Sequence, residues 1–265
     1  LNHLEYNLNQ IAKFAPVQKI MAVVKANAYG HTCRAVVPFL QRLGVRYFAV
    51  SNEYEALDLR RHGVTGTVLV LGRVDPVAAA ELSENGVTVA VFSPSYARGL
   101  AEQLPAGKTL CCHIKLDTGM GRLGLNCREH WQPAELAKAA KEIVSTPGLQ
   151  VTGAFTHFAA ADTDGDCTGA FTAGQYRRFT AACESLKALL PGRQLCLHCS
   201  NSAATLLQKD FKTSLYRAGI IMYGCTPSNG LQLPVTLKPV FSFKTVISQI
   251  KTVQPGESLS YGRTF

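Results

Sequence analysis

The feature that most constrains this chain is a repeated alternation of short apolar runs with segments of helical spacing. The runs cover residues 20–25, 47–51, 68–71, 87–92, 112–116, 151–156, 194–199 and 216–223. Helical patterns separate most of them, among them residues 52–62, 94–104, 133–144 and 169–190. Leu1, Leu4, Leu8, Ile11 and Phe14 recur at helical spacing as well, so an amphipathic helix opens the chain over residues 1–15. A strand that is apolar on both faces is buried on both, as in a parallel sheet covered by helices. Eight strand–helix units in about 200 residues fit a closed (β/α)8 TIM barrel, an α/β fold. An open doubly wound sheet is the structural alternative.

The texture changes after residue 232. Phe241, Phe243, Thr245 and Ile247 alternate with mostly polar residues, and Pro255-Gly256 marks a turn. The expected division is therefore a barrel over 1–232 and the beginning of a β-rich unit over 233–265. That unit has no room to close a sheet before Phe265, so the chain reads as the front part of a longer protein.

Composition removes several function classes. With 47% hydrophobic and 17% charged residues the chain is an ordinary globular one. No apolar run approaches the roughly 18 residues of a membrane-spanning helix, and no secretory signal is visible. Nine cysteines, an odd number without regular spacing, suit free thiols in a reducing, cytoplasmic compartment. Tethering through a segment outside this chain stays open. The formal charge of +9 is scattered and lacks the basic stripe with interleaved aromatics of a nucleic-acid surface. Cys196 and Cys199 form the one CxxC, in apolar surroundings that suit a buried strand better than a metal.

In a barrel, the C-terminal ends of the strands face the active site. The first run ends in Lys25, followed by Ala26-Asn27-Ala28-Tyr29-Gly30-His31. Desolvation there would lower the lysine's pKa and favour Schiff-base chemistry, though a lysine can also simply reach solvent. The fifth run continues as Lys115-Leu116-Asp117-Thr118-Gly119-Met120-Gly121-Arg122-Leu123-Gly124. Its formal GxGxxG is a weak dinucleotide signal, because the acidic residue about twenty positions on, Glu142, falls inside a helical pattern. The sixth run ends in Thr156-His157-Phe158, and the loop Asp162-Thr163-Asp164-Gly165-Asp166 fails calcium spacing and reads as solvated. After the seventh come His198-Cys199-Ser200-Asn201-Ser202, able to cap a helix or to cradle a phosphate. The eighth embeds Arg217 in an apolar run, where it needs a fixed partner, and Gly219 allows close approach of an anion.

Five segments in this order, VVKANAYGH, KLDTGMGRLG, THFAAAD, NSAATL and RAGIIMYG, resemble the motifs of the alanine racemase family over essentially the whole chain. The resemblance implies a pyridoxal 5'-phosphate enzyme acting on a small amino acid, in which Lys25 carries the cofactor. Tyr29, Ser202, Gly219 and Ile220 would hold its phosphate, with Asn201 beside them and Tyr223 or a later tyrosine nearby. Leu71 would line the pocket, and Arg217 would face the pyridine nitrogen, keeping it unprotonated. Lys115 would be carbamylated and hold Arg122 against the cofactor. Inversion needs two acid–base groups on opposite faces; Lys25 is one and Tyr261 the other, reaching into a partner's site within a homodimer. His157 would assist that tyrosine. The implied reaction is interconversion of L- and D-alanine for peptidoglycan, the alternative being a serine or dual alanine/serine racemase of the glycopeptide-resistance type.

Departures from the family are Thr32, where a second glycine usually follows the histidine, the missing N-terminal strand and the missing bulk of the β domain. Rival readings are a decarboxylase or cofactor-carrying regulatory protein on the same barrel, and a non-catalytic binding barrel. The YGH continuation, Arg122 and Tyr261 argue against the first, and Lys25 together with Tyr261 against the second.

Overall fold

The computed structural model describes residues 1–163, 166–207 and 210–263, without the side chains of 166–168. The eight apolar runs all become parallel strands: β1 Ile20–Val23, β2 Tyr47–Val50, β3 Thr67–Val70, β4 Val87–Val91, β5 Leu110–Asp117, β6 Leu149–Phe155, β7 Cys196–His198 and β8 Tyr216–Ala218. They pair in the order β7-β6-β5-β4-β3-β2-β1-β8. The seam between β7 and β8 carries no regular ladder, but Ser214 N–H donates to Leu197 O at 2.7 Å and Arg217 N–H to Ser200 O at 3.2 Å. The result is a nearly closed barrel, and the doubly wound alternative is excluded.

Alternation along each strand divides the core in two. Met21, Val23, Ala49, Leu69 and Leu215 form a separate cluster inside the barrel. Their neighbours Ala22, Val24, Phe48, Val50, Val68 and Val70 belong to the larger core that includes the helices. This two-residue period explains why the strands look uniformly apolar in sequence: one parity fills the lumen, the other the helix layer. Toward the C-terminal ends of β5 to β8 the inward parity switches to buried polar residues, with His113, Lys115, His198 and Arg217 all at most 7% exposed.

Three expectations shift. The first strand ends at Val23, so Lys25 lies just beyond it rather than on it. The last strand ends at Ala218, because Gly219 takes φ −112°, ψ −104° and starts a 3-10 turn, Ile220–Tyr223, in place of a strand through Tyr223. After Gly224 no strand forms among the described residues. Phe243, Val246, Ile247 and Ile250 are each at least 80% exposed, so the alternation seen there finds no pairing partner among the described residues. Of the acidic loop, Asp164 and Gly165 lie outside the described residues.

Candidate active site

Beyond Val24 the backbone turns sharply left. Ala26, Asn27, Ala28 and Tyr29 take φ of 51°, 52°, 57° and 52°, with Gly30 N–H donating to Ala26 O at 2.9 Å. A left-handed turn costs non-glycine residues on the order of 1 kcal/mol each, so such a run needs its surroundings to hold it. It delivers two side chains to the mouth. Half-buried Lys25 lines a cavity of about 270 Å³ with Ser51, Leu71, Gly72, Lys115, Arg122, Leu123, Phe155 and His157. Tyr29 swings toward β8, where burial raises the pKa of its phenol.

At β8 the groups expected to take a phosphate converge. Gly219 N–H donates to Ser202 Oγ at 3.0 Å. A Cβ on Gly219 would lie 2.8 Å from Tyr29 Oη and 3.6 Å from Ser202 Oγ, so the missing side chain is what leaves this cradle open. Ile220 follows at the start of the 3-10 turn. Asn201 plays a different part: its Oδ1 accepts from Ala204 N–H at 3.0 Å and its Nδ2 donates to Phe158 O at 3.3 Å, capping the helix Ser202–Leu207. Tyr223 is buried against His31, their rings stacked with centroids 4.7 Å apart.

The opposite side of the mouth is cationic. Arg217, 2% exposed, donates to Thr156 O at 2.7 Å, Cys199 O at 2.9 Å and His198 Nδ1 at 2.8 Å, with His157 Nδ1 at 3.5 Å. Its fixed partners are thus carbonyls and imidazoles, and among the described residues no carboxylate pairs with it. Burial lowers its pKa to about 10, which leaves it charged at neutral pH. An arginine at His198 Nδ1 leaves that imidazole its proton on Nε2, 3.0 Å from His113 Nδ1. Burial and Arg217 push the His198 pKa well below the usual range, and burial takes His113 to about 4. Both rings are neutral, and Phe155 stacks on His198 at 5.0 Å.

Lys115 donates to Leu71 O at 3.1 Å. Burial, then Arg122 and Arg217, lower its pKa to about 8. His157 is pushed far down by burial and by Arg217, Arg122, Lys115 and Lys25. The spacing behind Arg122 also finds its reason. Asp117 Oδ1 accepts from Gly119 N–H at 3.1 Å and Gly121 N–H at 2.9 Å, and Gly124, φ 147°, packs where a Cβ would lie 2.3 Å from Asp117 N. The GxGxxG folds the loop back on its own strand and leads into a short strand, Leu125–Asn126, paired to Leu116–Asp117, not into the helix that a dinucleotide motif opens.

The structure thus brings Lys25, Leu71, Lys115, Arg122 and His157 to one cavity, gathers Tyr29, Ser202, Gly219 and Ile220 beside it, and buries Arg217 against its Phe155 and His157 walls. Tyr261 is 99% exposed and stands away from it. Sequence reasoning missed His113 and Gln175, and it named His198 without its bracing of Arg217. Gln175, fully buried, accepts from Ala159 N–H at 2.9 Å and donates to Thr118 Oγ1 at 3.3 Å and His157 O at 3.2 Å, tying two mouth loops together. Inward strand parity would have found the two histidines; nothing local marks Gln175. Cys199 is buried and Cys196 half-buried, and among the described residues no group of three His, Cys, Asp or Glu could hold a metal.

Comparison with known proteins agrees with this geometry. Residues 1–227 match the family model described as alanine racemase, N-terminal domain. An alanine racemase of Symbiobacterium thermophilum is 35% identical over 100% of this chain and 68% of its own length. That of Desulfosudis oleivorans is 38% identical over 94% of this chain and 64% of its own length. The crystal structure of alanine racemase from Bacillus anthracis with bound L-Ala-P superposes with a TM-score of 0.89 at 34% identity, covering 100% of this chain and 67% of that one. The chain spans about two thirds of the length of the curated relatives it matches. A barrel of this topology, a lysine just past β1, an arginine in β8 and this family match leave one assignment: the chain belongs to the alanine racemase family.

Proposed function

We propose that this chain takes part in interconverting L- and D-alanine, as a pyridoxal 5'-phosphate enzyme. The observation that carries the reading is the shared mouth, where Lys25 and Arg217, which has no carboxylate partner among the described residues, stand beside the Tyr29–Ser202–Gly219 cradle. The donors fit a phosphate, and the open space at Gly219 fits its approach. When bound, pyridoxal phosphate supplies the electron-withdrawing ring that makes the substrate Cα–H acidic. Lys25 holds the cofactor and moves a proton on one face of the substrate. Arg217, charged and braced by neutral rings, would face the pyridine nitrogen, keep it a hydrogen-bond acceptor and limit how far charge spreads into the ring.

The second proton falls to the partner subunit's Tyr261 in a homodimer, and an outward-facing Tyr261 suits a residue that acts in its neighbour's site. His157, held neutral, can assist that tyrosine only as a hydrogen-bond partner, not as a cation. Asn201 supports the cradle through its cap rather than by touching the phosphate. Lys115 is carbamylated in this reading. Its neutral amine attacks CO2, forming a C–N bond and releasing one proton, and the resulting anion draws in Arg122 between what would otherwise be two repelling cations. The break in texture at residue 232, with 233–265 opening a β-rich unit, belongs to the same proposal. So does a cytoplasmic setting, which nine cysteines without regular spacing suit. Among the described residues no helix is long and apolar enough to cross a membrane.

The test is racemisation of L-alanine and of L-serine by the full-length chain, read as D-isomer formed. We expect D-alanine in excess, with a visible cofactor band that is absent in Lys25→Ala. No D-alanine and no band would overturn the reading, and a faster serine reaction would move the substrate. Mixing Lys25→Ala with Tyr261→Phe protein should restore activity, since each mixed dimer regains one intact site; no recovery removes the shared site.

A further inference from the structure

The left-handed turn that presents Lys25 is held from outside the cavity by one carboxylate. Glu55 Oε1 accepts from Ala26 N–H at 2.7 Å, and its Oε2 accepts from Ser51 N–H at 2.7 Å. Ala26 follows Lys25 directly, and Ser51 lines the cavity beside it. The two oxygens therefore join the chain just past β1 to the chain just past β2, under the lysine. The carboxylate is itself set in place: Glu55 N–H donates to Asn52 Oδ1 at 3.0 Å, the cap of the helix Glu53–Arg61. In an ordinary capping box, a glutamate three residues past the cap returns to the cap's own N–H. Here both of its oxygens are committed to the strand ends. The far end of the turn is tied separately, by Cys33 N–H donating to Asn27 Oδ1 at 2.8 Å.

We infer that Glu55 is a positioning residue for Lys25: its carboxylate holds the Ala26 and Ser51 amides and so fixes where the lysine amine stands in the mouth. The inference rests on the reading that Lys25 carries the cofactor. Charge-assisted hydrogen bonds to backbone amides are among the stronger ones, and a carboxylate can serve two amides at once because it only accepts. Glutamine keeps the size but turns one of the two acceptors into a donor. Aspartate keeps the charge but is one methylene short.

The test compares wild type, Glu55→Gln, Glu55→Asp and Lys25→Ala in the full-length holoenzyme. Four quantities are read: the visible cofactor band, kcat and KM for alanine at saturating pyridoxal phosphate, amide hydrogen exchange resolved at Ala26 and Ser51, and the melting temperature. We expect Glu55→Gln to speed exchange at one or both amides by about tenfold or more, shift the band and lower kcat about tenfold, with KM and melting temperature little changed. Glu55→Asp should free both amides and lose more. If both amides stay protected and kcat is unchanged in Glu55→Gln, the inference falls. It also falls if exchange rises evenly along 53–61 and activity declines only with melting temperature, for Glu55 is then a plain helix cap. A wild type lacking the visible band overturns the cofactor reading itself, an outcome separate from either of these.

Discussion

Along β8 and β1 the mouth offers neutral groups: Tyr29 Oη, Ser202 Oγ and the amides at Gly219 and Ile220, already close enough for Gly219 N–H to bond Ser202 at 3.0 Å. Along β5 and β6 it offers Lys115 and Arg122, with Arg217 buried behind them and no carboxylate among the described residues paired with any of the three. Both sides are built for negative charge, but they differ in what they need beforehand. Hydroxyls and amides can satisfy one another until an anion arrives. Buried cations cannot, and their strain shows in Lys115, held to a pKa of about 8, and in Arg217, held to about 10. The neutral side should therefore bind, and the cationic side should decide the chemistry. The lysine between them belongs to both.

Removing that lysine should have the largest effect. Lys25→Ala leaves either side intact yet takes away both the proposed covalent anchor of the cofactor and one of the two proposed proton-transfer groups. Racemisation should fall by about a thousandfold or more, measured as D-alanine formed, while the barrel's melting temperature stays near that of wild type. Retained activity would show that the mouth is only a binding site.

Changing the sign on the cationic side comes next. Arg217→Glu puts a carboxylate where the ring nitrogen is expected, which would protonate that nitrogen and let charge spread further into the ring. Racemisation should drop about a hundredfold, and amination of the cofactor, followed by its absorbance, should rise relative to it. Proportional loss of both would mean that Arg217 only orients the ring. His198 and His113 are braces in this comparison, since a neutral imidazole can accept from arginine without quenching its charge.

How far this division could be read from the sequence depends on whether its cause is local. The eight strands and the strand-end placement of Lys115, His157, Ser202 and Arg217 follow from period and order alone. Each missed element depends on residues far apart in the chain. Gln175 meets Thr118 only once β5 and β6 are neighbours. Glu55 sits in a pattern that reads as an ordinary cap, and its partner amide at Ala26 exists only because the backbone there is left-handed. That turn contains no glycine at 26–29 to announce its positive φ. At residues 241–247 the alternation is visible in the sequence, but a strand forms only against a partner, and none pairs there among the described residues.

Lys115 sharpens the cationic side further. Its pKa, lowered to about 8 from 10.5, means that the amine loses its proton as pH rises through about 8, so carbamate occupancy at fixed dissolved CO2 should climb over that range. A carbamate carbon signal in 13C NMR after labelling with 13C-bicarbonate, absent in Lys115→Met, would register it. That substitution removes the proposed anion beside Arg122 and should lower kcat by roughly tenfold to a hundredfold. A plain amine at Lys115 in active enzyme removes this half of the argument.

The smallest effect should come from filling the neutral side by one methyl. In Gly219→Ala the new Cβ would stand 2.8 Å from Tyr29 Oη, the end of a side chain, and 3.5 Å from Val23 Cβ. Gly219 has a negative φ, so alanine need not enter the left-handed region that glycine alone visits freely. The cost thus falls on the cradle, which must widen or lose the tyrosine contact. About a tenfold weaker affinity for pyridoxal phosphate is expected, with kcat at saturating cofactor and KM for alanine nearly unchanged. This pattern separates the two sides of the mouth: substitutions on the neutral side should move cofactor affinity, and those on the cationic side should move kcat. If Gly219→Ala lowers kcat at saturating cofactor as strongly as Lys115→Met does, the two sides are not independent, and the turn carrying both Lys25 and Tyr29 is the element that couples them.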